Sequence, residues 1–177
     1  LTHEIKKICP DAVFVDSDFE AFGIFSKKLF DIARNFSPMV EEYSIDEGFL
    51  DIKGMRRPLA LGYVEIGAAL QAKVRTKLGI SISVGISLTK SLAKLASSKK
   101  KPGGLVMVPG NKITDFLADV PIGSVWGIGE NTGAYLKKMG VHTALAFASQ
   151  PESFFLKGTL AKPYVEIWHE LRGTKIY

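Results

Sequence analysis

One run constrains this chain more than any other: Tyr43-Ser44-Ile45-Asp46-Glu47-Gly48-Phe49-Leu50-Asp51-Ile52. An apolar stretch approaches two adjacent carboxylates and a second apolar stretch leaves at once. That pattern predicts a β-hairpin with Asp46 and Glu47 at or beside its turn. Two acids on a tight connection between buried strands repel each other and invite a cation. A bare Asp-Glu pair also fits an Asx-type turn with a solvated glutamate. The rest of the chain has to decide between them.

The 177 residues suit one or two small domains, and 46% hydrophobic against 23% charged residues is enough to bury a core. No apolar run approaches the roughly 18 residues of a membrane span, so no membrane partner is expected. The chain opens on Leu1 rather than Met and shows no signal-peptide pattern, which suggests a piece of something longer. Cys9 is the single cysteine. It excludes a disulfide within the chain and points to a reducing, cytoplasmic compartment. The net charge is +5, and the basic residues are unevenly spread: Lys90 to Lys101 holds five lysines and no acid. Such a patch favours a polyanionic partner, or is simply a solvated helix face.

In order, residues 1–15 read as a helix end, a turn at Cys9-Pro10-Asp11 and a short strand Ala12–Val15. Ser17 and Glu20 have capping-box spacing, and Phe22, Phe25, Leu29, Ile32 and Phe36 then recur at helical intervals. Asp16 and Asp18 are therefore expected as caps rather than metal ligands. Ser37-Pro38 ends that helix, and the acidic hairpin spans Val40–Ile52. A helix from Pro58 to Leu78 follows, buried through Leu59, Tyr63, Ile66, Leu70 and Val74 and stopped by Gly79. Ile82, Val84 and Ile86 alternate with serines as a half-buried strand. A helix Thr89–Ser98, the turn Lys101-Pro102-Gly103-Gly104 and a strand Leu105–Val108 come next. The order implies an α+β fold, with an antiparallel or mixed sheet and helices on one face. Beyond Pro109-Gly110 only short helices are expected, at 111–119, 122–126, 130–139, 143–149 and 160–171.

Ser44-Ile45-Asp46-Glu47 between strands resembles the palm motif of Y-family (translesion) DNA polymerases, the group that includes DinB and UmuC/ImpB/MucB/SamB proteins. Three further segments carry the same resemblance. Val84 to Ser97 is similar to the family's Gly-Ile-x-x-x-Lys-x-Leu-Ala-Lys-x-Ala-Ser segment. Lys101-Pro102-Gly103-Gly104 resembles its Lys-Pro-x-Gly turn. Val125-Trp126-Gly127-Ile128-Gly129, with the helix closing at Gly140, resembles its helix-hairpin-helix, and His169-Glu170-Leu171-Arg172-Gly173 the close of its thumb.

The resemblance implies residues 1–17 as the end of a finger domain and the strand returning to the palm, 18–108 as palm, and 109–177 as an all-α thumb. It implies Asp46 as a metal ligand, with Glu47 beside the primer 3′-OH and its metal, in a two-metal Mg²⁺ site whose third carboxylate lies outside this chain. Asp51 reads as structural. Lys101 would contact the incoming triphosphate, with Lys99 and Lys100 sharing that role or facing solvent. Lys90 and Lys94, four apart on one helical face, would meet DNA, as would the free N–H groups of that helix start. Gly127 and Gly129 would let the backbone approach a DNA phosphate over a core-plugging Ile128. The implied partners are primer-template DNA, deoxynucleoside triphosphates, a sliding clamp and, if UmuC-like, accessory subunits. The implied role is synthesis past damaged template bases in the SOS response, with this stretch inactive alone. A non-catalytic DNA-binding module or an accessory protein on a degenerate palm is the competing reading. His3, His142 and His169 show no zinc-ligand spacing, and no nucleophile motif or dinucleotide fingerprint is present.

Overall fold

The computed structural model describes residues 2–156 and 162–176, without the side chains of Thr2, His3 and Leu156. The expected helix start at Leu160 and the His3 side chain lie outside the described residues. Helix α1 is Thr2–Ile8. Residues 12–15 form no strand; Val13 and Val15 are exposed, so alternation of apolar residues there is not matched by a sheet partner among the described residues. Helix α2 runs Phe19–Ala33 and begins one residue later than a capping box on Ser17 requires. Its N-cap is Asp18, whose Oδ1 accepts from Ala21 N at 2.9 Å. Only the C-terminal half of its apolar stripe is buried: Phe30, Ile32 and Ala33 are inside with Phe36 just beyond, while Phe22 and Phe25 are exposed.

Strands β1 (Val40–Glu42) and β2 (Gly48–Leu50) form the expected hairpin, paired Val40↔Leu50, Glu41↔Phe49 and Glu42↔Gly48. Side chains alternate across it, so Val40 and Leu50 join the core while Glu41 and Phe49 share the opposite face. The single helix expected from Pro58 is two. Helix α3 (Arg56–Leu59) ends where Ala60 turns left-handed at φ 52°, and α4 starts afresh at Tyr63–Leu78. Ala60 N and Leu61 N close the break on Arg57 O and Arg56 O. Leu59, Leu61 and Tyr63 all reach the same core, so the stripe reads through the break. Gly79 ends α4 at φ 71°.

Strand β3 (Val84–Ile86) leads to α5 (Lys90–Ser98), which returns to β4 (Leu105–Met107) parallel to β3. The antiparallel and parallel pairs are thus separate two-stranded sheets, with α2 and α4 packed together on the core side. Beyond them, a 3₁₀ turn at Gly110–Lys112 enters α6 (Ile113–Ala118), and another at Ile122–Ser124 precedes α7 (Glu130–Lys138). Helices α8 (Ala144–Ala148), α9 (Ser153–Leu156, not expected from periodicity) and α10 (Lys162–Leu171) complete the chain. The fold is α+β, a palm-like layer followed by short helices. No described helix is long and apolar enough to cross a membrane.

Two apolar clusters hold these elements. Ile32, Phe36, Ile66, Leu70 and Val74 fill the first. The second joins Leu92, Leu95 and Ala96 of α5 to Ile122, Leu136, Phe147, Trp168 and Leu171. The other side of α5 lies on β3, where an added Cβ at Gly85 would overlap Ala93 O and Ser97 N, both backbone atoms. Gly23, exposed within α2, has nothing within 4 Å of its would-be Cβ. Gly85→Ala is expected to destabilise the chain by about 2–4 kcal/mol. Gly23→Ala should stabilise it by about 0.5–1 kcal/mol. Denaturant melts of both variants check the pair.

Candidate active site and nucleic-acid interface

The acidic turn is tightly built. Tyr43 N and Ser44 N both donate to Glu47 O at 2.9 Å, closing the loop that carries the two acids. Ser44 Oγ donates to Asp46 Oδ1 at 2.8 Å, an Asx/ST-type contact that leaves Asp46 exposed at the tip. Glu47 is half-buried and ion-paired to Lys94. Lys90 pairs with Glu41 on β1, and its Nζ lies 5.6 Å from the Phe49 ring centroid. The two lysines of α5 therefore meet hairpin carboxylates rather than projecting as a free basic face. The approach of Lys94 offsets the repulsion between adjacent acids.

The start of α5 also differs from expectation. Thr89 is its N-cap, its Oγ1 accepting from Leu92 N at 3.4 Å. Ser91 N donates to Glu170 Oε2 at 2.8 Å, so an acid from α10 already occupies the anion position expected for phosphate.

Asp46, Glu47, Lys94 and the turn Lys101-Pro102-Gly103 line one groove of about 490 Å³ with residues of β2, β3 and α4. Lys101 is exposed on its rim. Gln71 of α4 sets that turn by donating to Ile82 O at 2.8 Å and to Gly103 O and Gly104 O at 3.1 Å each. Gly103 N donates to Ser83 Oγ at 3.0 Å. Gln71 carries no motif, and only its polar type on an otherwise packed helix face hinted at a partner. Among the described residues no group of three or more His, Cys, Asp or Glu side chains is arranged to hold a metal. Asp46 and Glu47 are nevertheless the hard oxygen donors that Mg²⁺ takes one or two at a time with water and phosphate.

At the helical end, Gly127 has φ 86°, a left-handed turn that glycine allows, and a Cβ there would lie 2.8 Å from Ile167 Cδ1. Ile128 is buried at 5% exposure. Gly129 differs: it is the N-cap of α7 at φ −73°, open to any residue, and nothing lies within 4 Å of its would-be Cβ. Among the described residues no side chain caps α7. Trp126, unassigned by sequence, reaches back to the acidic hairpin, with ring centroids 5.1 Å from Tyr43 and 5.5 Å from Phe49. His169 packs edge-on to Trp168 at 4.7 Å.

Residues 1–98 match the model of the impB/mucB/samB family, and residues 111–141 match the IMS family HHH motif. A DNA polymerase IV 2 of Mesorhizobium japonicum is 37% identical over 139 residues, covering 78% of this chain and 33% of that protein. A DNA polymerase IV of Dehalococcoides mccartyi is 33% identical over 162 residues, covering 90% and 41%. The chain thus spans between a third and about two fifths of these relatives' length. DinB from Sulfolobus solfataricus superposes at a TM-score of 0.82 and 23% identity, over 97% of this chain and 50% of that one. An insertion ternary complex of Dbh DNA polymerase gives 0.84 at 23% identity, over 97% and 49%. At such identities the likeness establishes the fold.

Asp51, at the end of β2, is held below its ordinary carboxyl value of 3.8, first by the backbone N–H of Lys53 and next by the Lys175 ammonium, with partial burial opposing. Its oxygens accept from these donors at 2.9 and 3.0 Å. A lowered folded value favours the ionised form, so the stabilisation is present above the unfolded value and lost as pH falls through the folded one. Asp51→Asn should melt below the parent at neutral pH, by less than about 1 kcal/mol for so exposed a pair. That gap should close as pH drops below 3.8, in thermal melts across an acid series.

Proposed function

The chain belongs to the impB/mucB/samB family, and from that premise we propose that it is the palm (18–108) and thumb (109–177) of a Y-family DNA-directed DNA polymerase that copies damaged template. The observation that carries the reading is the convergence of Asp46, Glu47, Lys94 and Lys101 on one groove. These residues are separated in sequence but supply, side by side, the acids and the cation that transfer of a nucleotidyl group onto a primer end requires.

In this reading Asp46 and Glu47 would hold Mg²⁺, and the metal would supply neutralisation of phosphate charge for transfer onto the primer 3′-hydroxyl with pyrophosphate as the leaving group. Glu47 would give up its Lys94 partner to bind it. Lys101, on a rim fixed by Gln71, offsets the charge of the incoming triphosphate. The groove lies where β2 and β3 each keep a strand edge without a ladder partner among the described residues. A further strand seated there would bring the third carboxylate, so residues 1–177 alone would not extend a primer. The uncapped start of α7 would hold a DNA phosphate through its N–H groups, without reading bases. Gly129 supports this: its glycine is not demanded by φ or by packing, so its missing side chain leaves room for an approaching backbone.

Work in the cytoplasm within the SOS response, with a sliding clamp and, if UmuC-like, accessory subunits, completes the proposal. A non-catalytic DNA-binding role draws on the ion pair that already engages Glu47. Primer extension separates the two. The full-length Asp46→Ala, Glu47→Ala variant should lose extension by on the order of 10³-fold while keeping primer-template affinity. A parent that binds primer-template yet never extends it would support the binding role. Gly129→Ala should leave the melt within about 0.5 kcal/mol of the parent. It should also weaken DNA binding equally on unrelated sequences, read by anisotropy.

A further inference from the structure

Glu170 is fully buried at 0% exposure. Its carboxylate accepts from Ser91 N at 2.8 Å through Oε2 and from Ile176 N at 3.3 Å through Oε1. Its backbone oxygen accepts from Thr89 Oγ1 at 2.9 Å. Thr89 is the N-cap of α5 and Ser91 lies in its first turn, where aligned peptide dipoles place partial positive charge. One acid of the helical layer thus caps the helix whose lysines reach Glu41 and Glu47. Five residues on, Lys175 donates to Asp51 at the end of β2. The segment 170–176 is bonded both to the start of α5 and to the hairpin.

The apolar contacts of Leu92, Leu95 and Leu171 hold the layers together, but such contacts are non-directional and tolerate small rotations. A buried carboxylate shared by two amide donors does not. Resting on the polymerase reading, we propose that Glu170 is a positioning residue. It fixes the rotation of α5, and with it the place of Lys90 and Lys94 at the acidic turn, and it sets the angle at which the helical layer meets the palm. It touches no substrate. A turn of α5 about its own axis would carry both lysines away from their partners, so an error made at Glu170 appears at Asp46 and Glu47.

The test uses full-length protein with Glu170→Gln, which keeps one acceptor, and Glu170→Met, which keeps the packing volume, so that one folded variant suffices. Melts first establish that the variant is folded at the assay temperature. Single-turnover primer extension at saturating DNA and nucleotide should then fall by about 10- to 100-fold, the effect of displacing reacting groups by an ångström. Hydrogen exchange at the Ser91 amide should accelerate in the same variant. A lowered melting temperature with an unchanged rate would make Glu170 merely structural and overturn the proposal, as would an unchanged rate despite faster exchange at Ser91. A parent that extends no primer overturns the polymerase reading and the role in the reaction with it. In that event the Ser91 exchange alone still decides whether Glu170 orients α5.

Discussion

Everything near the acidic turn depends on a helix buried on two sides. α5 lies on β3 through the bare backbone of Gly85 and presents Leu92, Leu95 and Ala96 to the helices beyond. Its intermediate edge carries Lys90 and Lys94 to the hairpin. A nine-residue helix is marginal in water by itself. Here tertiary contact supplies what length does not, and the two lysines inherit a fixed position from packing that involves neither of them. The placement of charge at the groove is therefore a property of the core.

The electrostatic pattern follows. A basic run with a net chain charge of +5 suggests an open cationic face, yet Lys90 and Lys94 are spent on Glu41 and Glu47. The groove is close to balanced in charge, with Lys101 left on its rim. The lysines offset the repulsion between the two adjacent carboxylates of the turn. Under the proposed function, attraction for a polyanion would fall to Lys99, Lys100 and Lys101 and to the start of α7, which are spaced along the molecule.

Much of this was legible in sequence where the cause is local. The hairpin follows from two apolar runs meeting at a polar turn, and Gly79 and Gly140 mark helix ends because they alone sit easily at φ 71° and 80°. Ala60 does the same at φ 52° without the glycine that would have announced it. Phe22 and Phe25 keep helical spacing but find no core, since periodicity names a face and not its partner. The contacts of Trp126, Gln71 and Glu170 are not legible in the sequence, although Trp126 and Glu170 lie within the segments that carry the resemblance. Each acts on residues far away along the chain, and nothing in the neighbouring sequence records a contact made across the fold.

The groove between the two small sheets has one further consequence. β2 and β3 are three residues long, each has one ladder partner among the described residues, and both line the groove. Strand edges without a ladder partner among the described residues are features that natural sheets normally blunt, because they template pairing with foreign chains. The exposed Phe14, Phe19, Phe22 and Phe25 add apolar surface outside the sheets. Taken alone at high concentration, these residues would face a choice between remaining monomeric and stacking edge to edge. Solubility would then depend on what fills the groove.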